Sequence, residues 1–424
     1  MARELTLTIV DGVRVVVPDN LNHATPFVLQ EQGDWFEDEI RFLRGAMRPG
    51  DKAVDIGANY GLYTLSIART VGSTGHVWAF EPATRTHAFL TRSVQANRFT
   101  NVTVERSAMS DHVGTGHLAL SDHPELNALT QVGNASTEQV PLVTLDERMQ
   151  TLGWSSIDFL KLDAEGAEQA ILDGGRRFLT ELSPLVQIEL RTESTVNLSL
   201  LQTLRDLDYQ PYRVVPGLGV LVPLDLSTAP DPYLLNALCC RPDRAAELAA
   251  RDLLLDPAAL PTVEPMDPDL MYRRSRERAR PMRERLALLL ASLRLLKERA
   301  TKRPGHMSGT TLVCAARDAG ERSVACEQLI TLFSGLLEGT PPGLTDDFTL
   351  PCDRYATVPE GSRRRDWALA CVTEALEQLG WMSSCYNPAA AMARLQLLER
   401  LGFLGPEMSR RLGLLKRREA QQPS

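Results

Sequence analysis

Between Ala53 and Leu190, short apolar or β-branched runs alternate with longer segments of helical periodicity. No other feature of this 424-residue chain restricts its fold so strongly. The runs are Ala53–Ile56, His76–Phe80, Val102–Glu105, Ile157–Leu162 and Leu185–Leu190. Helical patterns follow the first through about Val71, the second over Thr84–Asn97 and the fourth through Leu172. Parallel neighbours need a crossover of a dozen or more residues, so this alternation predicts a doubly wound parallel sheet. Before it, Leu5, Leu7 and Ile9 alternate with polar residues, Asp11-Gly12 supplies a turn, and Val13–Val17 returns, which predicts a hairpin. A helix is expected from Trp35 to Met47, ended by Arg48-Pro49-Gly50. A loop-rich antiparallel stretch is expected up to Val143, then a helix over Ser199–Leu207 and a terminal strand pair near Tyr212–Val215 and Val220–Pro223.

The pattern changes after Asp256, where Pro257, Pro261, Pro265 and Pro268 punctuate the chain. Three segments are expected: an α/β domain over 1–256, a linker and basic helix over 257–303, and an all-α domain over 304–424. The last has helices over Thr311–Leu337, Asp366–Gly380 and Pro388–Leu401 and a polar, frayed tail from Lys416. From Arg273 to Arg303 there are twelve Arg/Lys and three Glu, a local excess of nine, within a chain of net charge −8. The rest therefore carries −8 − 9 = −17. That balance argues against nucleic acid and anionic membrane for the α/β domain. The basic helix is read as a solvated helix packing its leucines, or as a contact for an anionic acceptor, a protein, a carrier-bound or leader-peptide substrate, or a membrane surface. No apolar run approaches the roughly 20 residues of a membrane helix. Seven cysteines without a C-x-x-C pair fit neither a disulfide framework nor a thiolate zinc site, so a reduced, cytoplasmic compartment is expected.

Most of the chemical information lies in Val54-Asp55-Ile56-Gly57-Ala58-Asn59-Tyr60-Gly61, a strand that ends near an acid and turns through glycines into a helix. Gly57 lets a ligand approach the backbone, and the helix N-terminus offers free N–H groups. Dinucleotide sites use G-x-G-x-x-G and admit a pyrophosphate, which Asp55 would repel; that disfavours a nicotinamide oxidoreductase. The same acid suits the cationic amino-acid half of S-adenosylmethionine. Glu81, ending the second strand, can accept both ribose hydroxyls. Tyr60 sits inside the glycine loop and is a candidate for the pocket wall.

The fourth strand ends Lys161-Leu162-Asp163-Ala164-Glu165-Gly166-Ala167-Glu168. It should flank the first strand at the topological switch point, where ligands of open α/β sheets bind. Asp163 would then project beside the sulfonium methyl and orient or deprotonate the acceptor, with Glu165 a second candidate. The competing readings are a helix cap for Asp163 and favourable dipole placement for Glu165 and Glu168. Lys161 is either solvated or paired with one of these acids and is assigned no chemical step.

Trp35-Phe36-Glu37, the Val54–Gly61 segment, Phe80-Glu81-Pro82 and the Lys161–Glu168 segment together resemble the FkbM-type methyltransferase family over about residues 30–245. The resemblance implies a class I Rossmann-like sheet of seven strands, the last antiparallel. It implies S-adenosylmethionine as cofactor, with Asp55, Gly57 and Asn59, in the loop that closes at Gly61, lining its methionine half. Glu81 would hold the ribose, and Ser107 and Ala108 would lie near the adenine. The implied activity is O-methylation of a hydroxyl on a glycan or secondary-metabolite scaffold. N-methylation of side-chain amides in a ribosomally made peptide is the alternative, and a non-catalytic methyltransferase-like binding module is another. His112, His117 and His123 fall in the loop-rich stretch, but their spacing fits no metal template and no metal is expected.

Overall fold

A computed structural model describes residues 3–421 except 122–126, 131–136, 193–194, 197, 303–308, 339–348, 360, 362 and 381. The chain divides into two compact units, Met1–Arg213 with Leu234–Leu253, and Val214–Tyr233 with Leu254–Ser424.

The first unit opens with the expected hairpin, Glu4–Thr8 (β1) and Arg14–Pro18 (β2), paired antiparallel. Helices Ala24–Gln32 and Asp38–Ala46 follow. Then come Lys52–Ile56 (β3), His76–Phe80 (β4) and Val102–Glu105 (β5), all parallel, with helices Leu62–Val71 and Thr84–Asn97 between them. The loop-rich stretch is a separate small sheet of Ala108–Met109 (β6), Gly114–Ala119 (β7), Ala128–Thr130 (β8) and Thr137–Val143 (β9). The main sheet resumes with Phe159–Leu162 (β10) and Leu185–Glu189 (β11), parallel to each other, while β10 also pairs parallel with β3. After the short pair Arg191–Thr192 (β12) and Thr195–Val196 (β13) come Gln210–Val215 (β14), Val220–Pro223 (β15) and Asn236–Cys240 (β16).

The strand order through the first unit is β14-β16-β11-β10-β3-β4-β5, with β16 antiparallel to both its neighbours. The order reverses between β3 and β10, which places a crevice beyond their carboxyl ends. This is the class I methyltransferase arrangement of seven strands. The reading of a terminal pair at 212–215 and 220–223 is corrected in one respect. The antiparallel strand is Asn236–Cys240, inserted between β14 and β11 rather than appended at the edge. All five of its residues are buried, so its sequence lacks the alternation that marks a half-exposed strand.

The second unit is helical among its described residues, apart from β15 and the last two residues of β14. Helices Pro268–Ser275, Met282–Lys302, Gly309–Ala319, Arg322–Glu338, Arg364–Leu379, Pro388–Leu401 and Pro406–Gln421 each pack on the next. The single helix expected over Thr311–Leu337 is two helices, broken at Gly320, whose φ of +80° suits glycine. The tail expected to fray from Lys416 is helical to Gln421. Within the segment expected as a linker, Asp267 caps the helix Pro268–Ser275 by accepting from the Asp269 and Leu270 N–H groups. Some of the basic residues there are held in ion pairs, two of them with acids outside the basic stretch. Arg280 meets Glu277 at 2.7 Å, Arg299 meets Asp269 at 2.6 Å and Asp267 at 3.0 Å, and Lys297 meets Glu321. Deeper in the unit, the buried carboxylates Glu374 and Glu377 are held by Arg354 at 2.6 Å and Arg394 at 2.7 Å. No helix among the described residues is long and apolar enough to cross a membrane.

Candidate active site at the tips of the central strands

In-register pairing sets the polar chemistry of the crevice. Asp55 on β3 lies opposite Lys161 on β10, and Lys161 lies opposite Gln187 on β11. Side chains in register share one face of a sheet, so an acid, an ammonium and an amide form a row across three strands. All three are buried: 1% exposed for Asp55 and Gln187, 6% for Lys161.

The glycine loop begins where β3 stops. Gly57 and Ala58 donate their N–H groups to the Phe80 carbonyl at 3.0 and 3.1 Å, tying the loop to the end of β4. Gly57 has φ +73°, and a Cβ there would meet the Asp163 carbonyl oxygen at 1.7 Å. The loop therefore lies directly against the chain leaving β10, which only glycine permits. Gly61 has φ +89°, and a Cβ there would meet Leu90 at 2.3 Å. Asn59 is also left-handed, at φ +49°.

Asp55 uses one carboxylate oxygen, Oδ2, to accept from the Thr64 N–H at 3.0 Å and from the Thr64 hydroxyl at 2.5 Å. Its Oδ1 is buried with no hydrogen-bond partner, and so is the Asn59 Oδ1. Burial pushes the Asp55 carboxyl above its ordinary range, opposed by Lys161 and Thr64. Glu81 ends the turn after β4, accepting from the Asn59 N–H with Oε2 and the Ala83 N–H with Oε1, both at 2.9 Å. Burial raises its pKa to about 7 in spite of these two donors. Two buried acceptors without donors beside a carboxylate with spare lone pairs form an acceptor-rich lining. That lining fits a ligand carrying an ammonium and vicinal hydroxyls.

Tyr60 is buried and packs its ring edge against Phe89 at 5.7 Å between centroids, so its side chain is engaged in packing while its backbone belongs to the loop. Ser107 is buried and donates to Glu105 at 2.9 Å. Ala108 joins an apolar cluster with Ala83, Leu118, Val140 and Leu142. These two residues therefore lie beyond the end of β5, on the side away from β10.

At the tip of β10, Asp163 is half-buried and its Oδ2 accepts from Lys161 Nζ at 2.6 Å. No backbone N–H among its hydrogen bonds supports the capping alternative; Glu168 instead shapes the turn by accepting from the Ala164 and Gly166 N–H groups at 3.0 and 3.1 Å. Glu165 sits in that turn at φ +44°. Carboxylate oxygens of Asp163, Glu165 and Glu189 lie within 4.8 Å of one another, a spacing at which three acids could hold a cation. Burial and the repulsion of Asp163 and Glu165 raise the Glu189 carboxyl to about 8. Among the histidines of the small sheet, His112 is exposed and meets Asp111 at 2.5 Å, while His123 lies outside the described residues.

Sequence reasoning missed the residues around Lys161. Its ammonium lies 5.1 Å from the centre of the Tyr63 ring. The Tyr63 hydroxyl donates to Glu37 and accepts from Gln187 Nε2 at 2.9 Å. Burial by itself would lower the Lys161 pKa, but the carboxylates of Asp163, Asp55 and Glu37 hold it above its ordinary value. The available signal was a polar residue inside each of two otherwise apolar strands, Lys161 and Gln187, at positions destined for a sheet buried on both faces.

Known proteins resemble part of this chain. Residues 55–211 match the methyltransferase FkbM domain model. Among solved structures, the methyltransferase FkbM from Methylobacillus flagellatus KT is 19% identical over 46% of this chain and 45% of its own, with a TM-score of 0.33. This chain thus spans less than half the length of that protein. A SAM-dependent O-methyltransferase from Thermotoga maritima is 15% identical over 56% of this chain and 77% of its own, at TM-score 0.29. Aeropyrum pernix fibrillarin, with natively bound S-adenosyl-L-methionine, is 15% identical over 57% of this chain and all of its own, also at 0.29. No curated protein matches the chain. Residues 55–211, all within the first unit, thus carry the match to the methyltransferase FkbM domain.

Proposed function

We propose that the first unit binds S-adenosylmethionine and transfers its methyl group to a hydroxyl of a glycan or secondary-metabolite scaffold. One observation carries the cofactor assignment. Asp55 Oδ1 and Asn59 Oδ1 are buried acceptors without donors, one loop away from a Glu81 carboxylate able to accept two further hydroxyls. A cofactor with an ammonium at one end and a ribose diol in the middle supplies the missing donors. In this reading Asp55, Gly57, Asn59, Gly61 and the Tyr60 backbone receive the methionine portion. Glu81 receives the ribose, and Ser107 and Ala108 the adenine edge.

The bound cofactor supplies an electrophilic methyl group, so the chain's own residues need only align an acceptor and receive its proton. Asp163 has the exposure and position for that role. Its Oδ2 is fixed by Lys161, which leaves Oδ1 to face an acceptor hydroxyl. Glu165, on the adjoining turn, is placed to orient the acceptor. The new O–C bond forms as the C–S bond breaks, its electron pair stays on sulfur, and the hydroxyl proton passes to the carboxylate. Such a base suits a hydroxyl better than an amide nitrogen, which is far less nucleophilic.

Calorimetric titration of the full chain with S-adenosylmethionine tests the cofactor assignment; a flat trace would end it. Mass spectrometry of acceptor pools from cells with and without the gene should reveal a species heavier by the mass of one CH₂, because a methyl replaces a hydrogen. Finding the added methyl on nitrogen would replace the hydroxyl reading with the amide one.

A further inference from the structure

Lys161 places a cation among the acids Asp55, Asp163 and Glu37. Its ammonium is 2.6 Å from Asp163 and is held above its ordinary pKa by Asp163, Asp55 and Glu37 together. It cannot turn away easily. It lies against the Tyr63 ring, and Tyr63 is fastened on both sides, to Glu37 and to Gln187. Asp163, which this ammonium meets, leaves β10 directly against Gly57, and Lys161 lies in register with Asp55, so the charge stands near the glycine loop.

Resting on the cofactor reading above, we propose that Lys161 is a positioning and charge-setting residue that controls how strongly the site prefers the cationic methyl donor over its neutral product. Methyl transfer converts a sulfonium into a thioether, so the ligand loses one positive charge during the reaction. Asp55, Asp163 and Glu37 with no counter-ion would stabilise the sulfonium in the ground state, and that stabilisation fades as the charge disperses in the transition state. An ammonium fixed among these acids removes the excess attraction while holding Asp163 in place for the acceptor.

The consequence can be read without knowing the acceptor. Calorimetry of the full chain gives the dissociation constants of S-adenosylmethionine and S-adenosylhomocysteine, and the ratio of the two isolates the effect of ligand charge. A unit charge removed within about 10 Å shifts such a ratio by roughly tenfold at an effective dielectric of about 20, and screening by Asp163 reduces this to about three- to tenfold. Lys161→Met should therefore shift the ratio about three- to tenfold towards the methyl donor, and Lys161→Arg should restore the wild-type ratio. If Lys161→Met fails to fold, Lys161→Gln carries the test with the same expected shift, because it removes the same charge and keeps a polar group beside Asp163. Equal changes in both dissociation constants, in whichever of these variants folds, would overturn the proposal and give Lys161 a purely structural role. Wild-type protein that binds neither nucleoside would overturn the cofactor reading itself. Wild-type binding of both, with a ratio fixed across the variants, would overturn only the role of Lys161.

Discussion

Glu81 makes a prediction in which folding and binding respond to pH with opposite signs. Its carboxyl is raised by burial from an ordinary 4.5 to about 7. A buried carboxyl with a raised pKa opposes folding when it is ionised. The cost is fully present above about pH 7, fades as pH falls towards 4.5, and is absent below that. At about 1.4 kcal/mol per pKa unit, the shift corresponds to a cost on the order of 3 kcal/mol. Cofactor binding runs the other way, because only the carboxylate can accept two ribose hydroxyls while holding the Asn59 and Ala83 N–H groups. At pH 5.5 roughly 3% of Glu81 is ionised, so affinity should be about 30-fold weaker than at pH 8.5. The assay is calorimetric titration with S-adenosylmethionine at pH 5.5, 6.5, 7.5 and 8.5, with thermal unfolding of the ligand-free chain in the same buffers. Asp55 is raised too, so the informative quantity is the difference between wild type and Glu81→Gln. The variant should bind weakly at every pH and lose the Glu81 share of both dependences. Parallel pH curves for the two proteins would refute the argument that this carboxyl grips the ribose.

Two further substitutions probe the neighbouring strands. Gly57→Ala places a Cβ against the Asp163 carbonyl at 1.7 Å in a left-handed residue, so the loop must shift. A stability loss of about 2–4 kcal/mol and loss of cofactor binding are expected by denaturant unfolding and calorimetry; wild-type stability would mean the loop and the β10 tip are not in contact. Asp163→Asn should keep S-adenosylmethionine affinity within about tenfold while turnover falls by about 10²–10⁴, the range of general base catalysis. Accumulation of the methylated product at the wild-type rate, followed by mass spectrometry, would remove Asp163 from proton transfer.

How much of this was legible in advance depends on burial. Strands β3, β4, β10 and β11 announce themselves as apolar runs between helical patterns, and Asp55, Glu81 and Asp163 stand at or beside their tips. Strand β16 is equally regular but buried throughout, so no alternation marked it, although the helix Pro242–Ala250 follows it directly. The break at Gly320 was hidden because apolar residues at helical spacing continue on both sides of it.

The sequence by itself determined the parallel α/β unit, the glycine loop after β3 and the acids that follow the strands, because each depends on local periodicity and turn chemistry. Only the tertiary structure decided which groups meet. Strand register aligns Asp55 with Lys161 and Gln187, both more than a hundred positions further along the chain, and long-range packing brings Glu37 and Tyr63 over the ammonium. Register and crossover packing are set by the whole hydrophobic core rather than by any one segment. The charge state of the site, three carboxylates around one buried lysine, is accordingly a property of the fold.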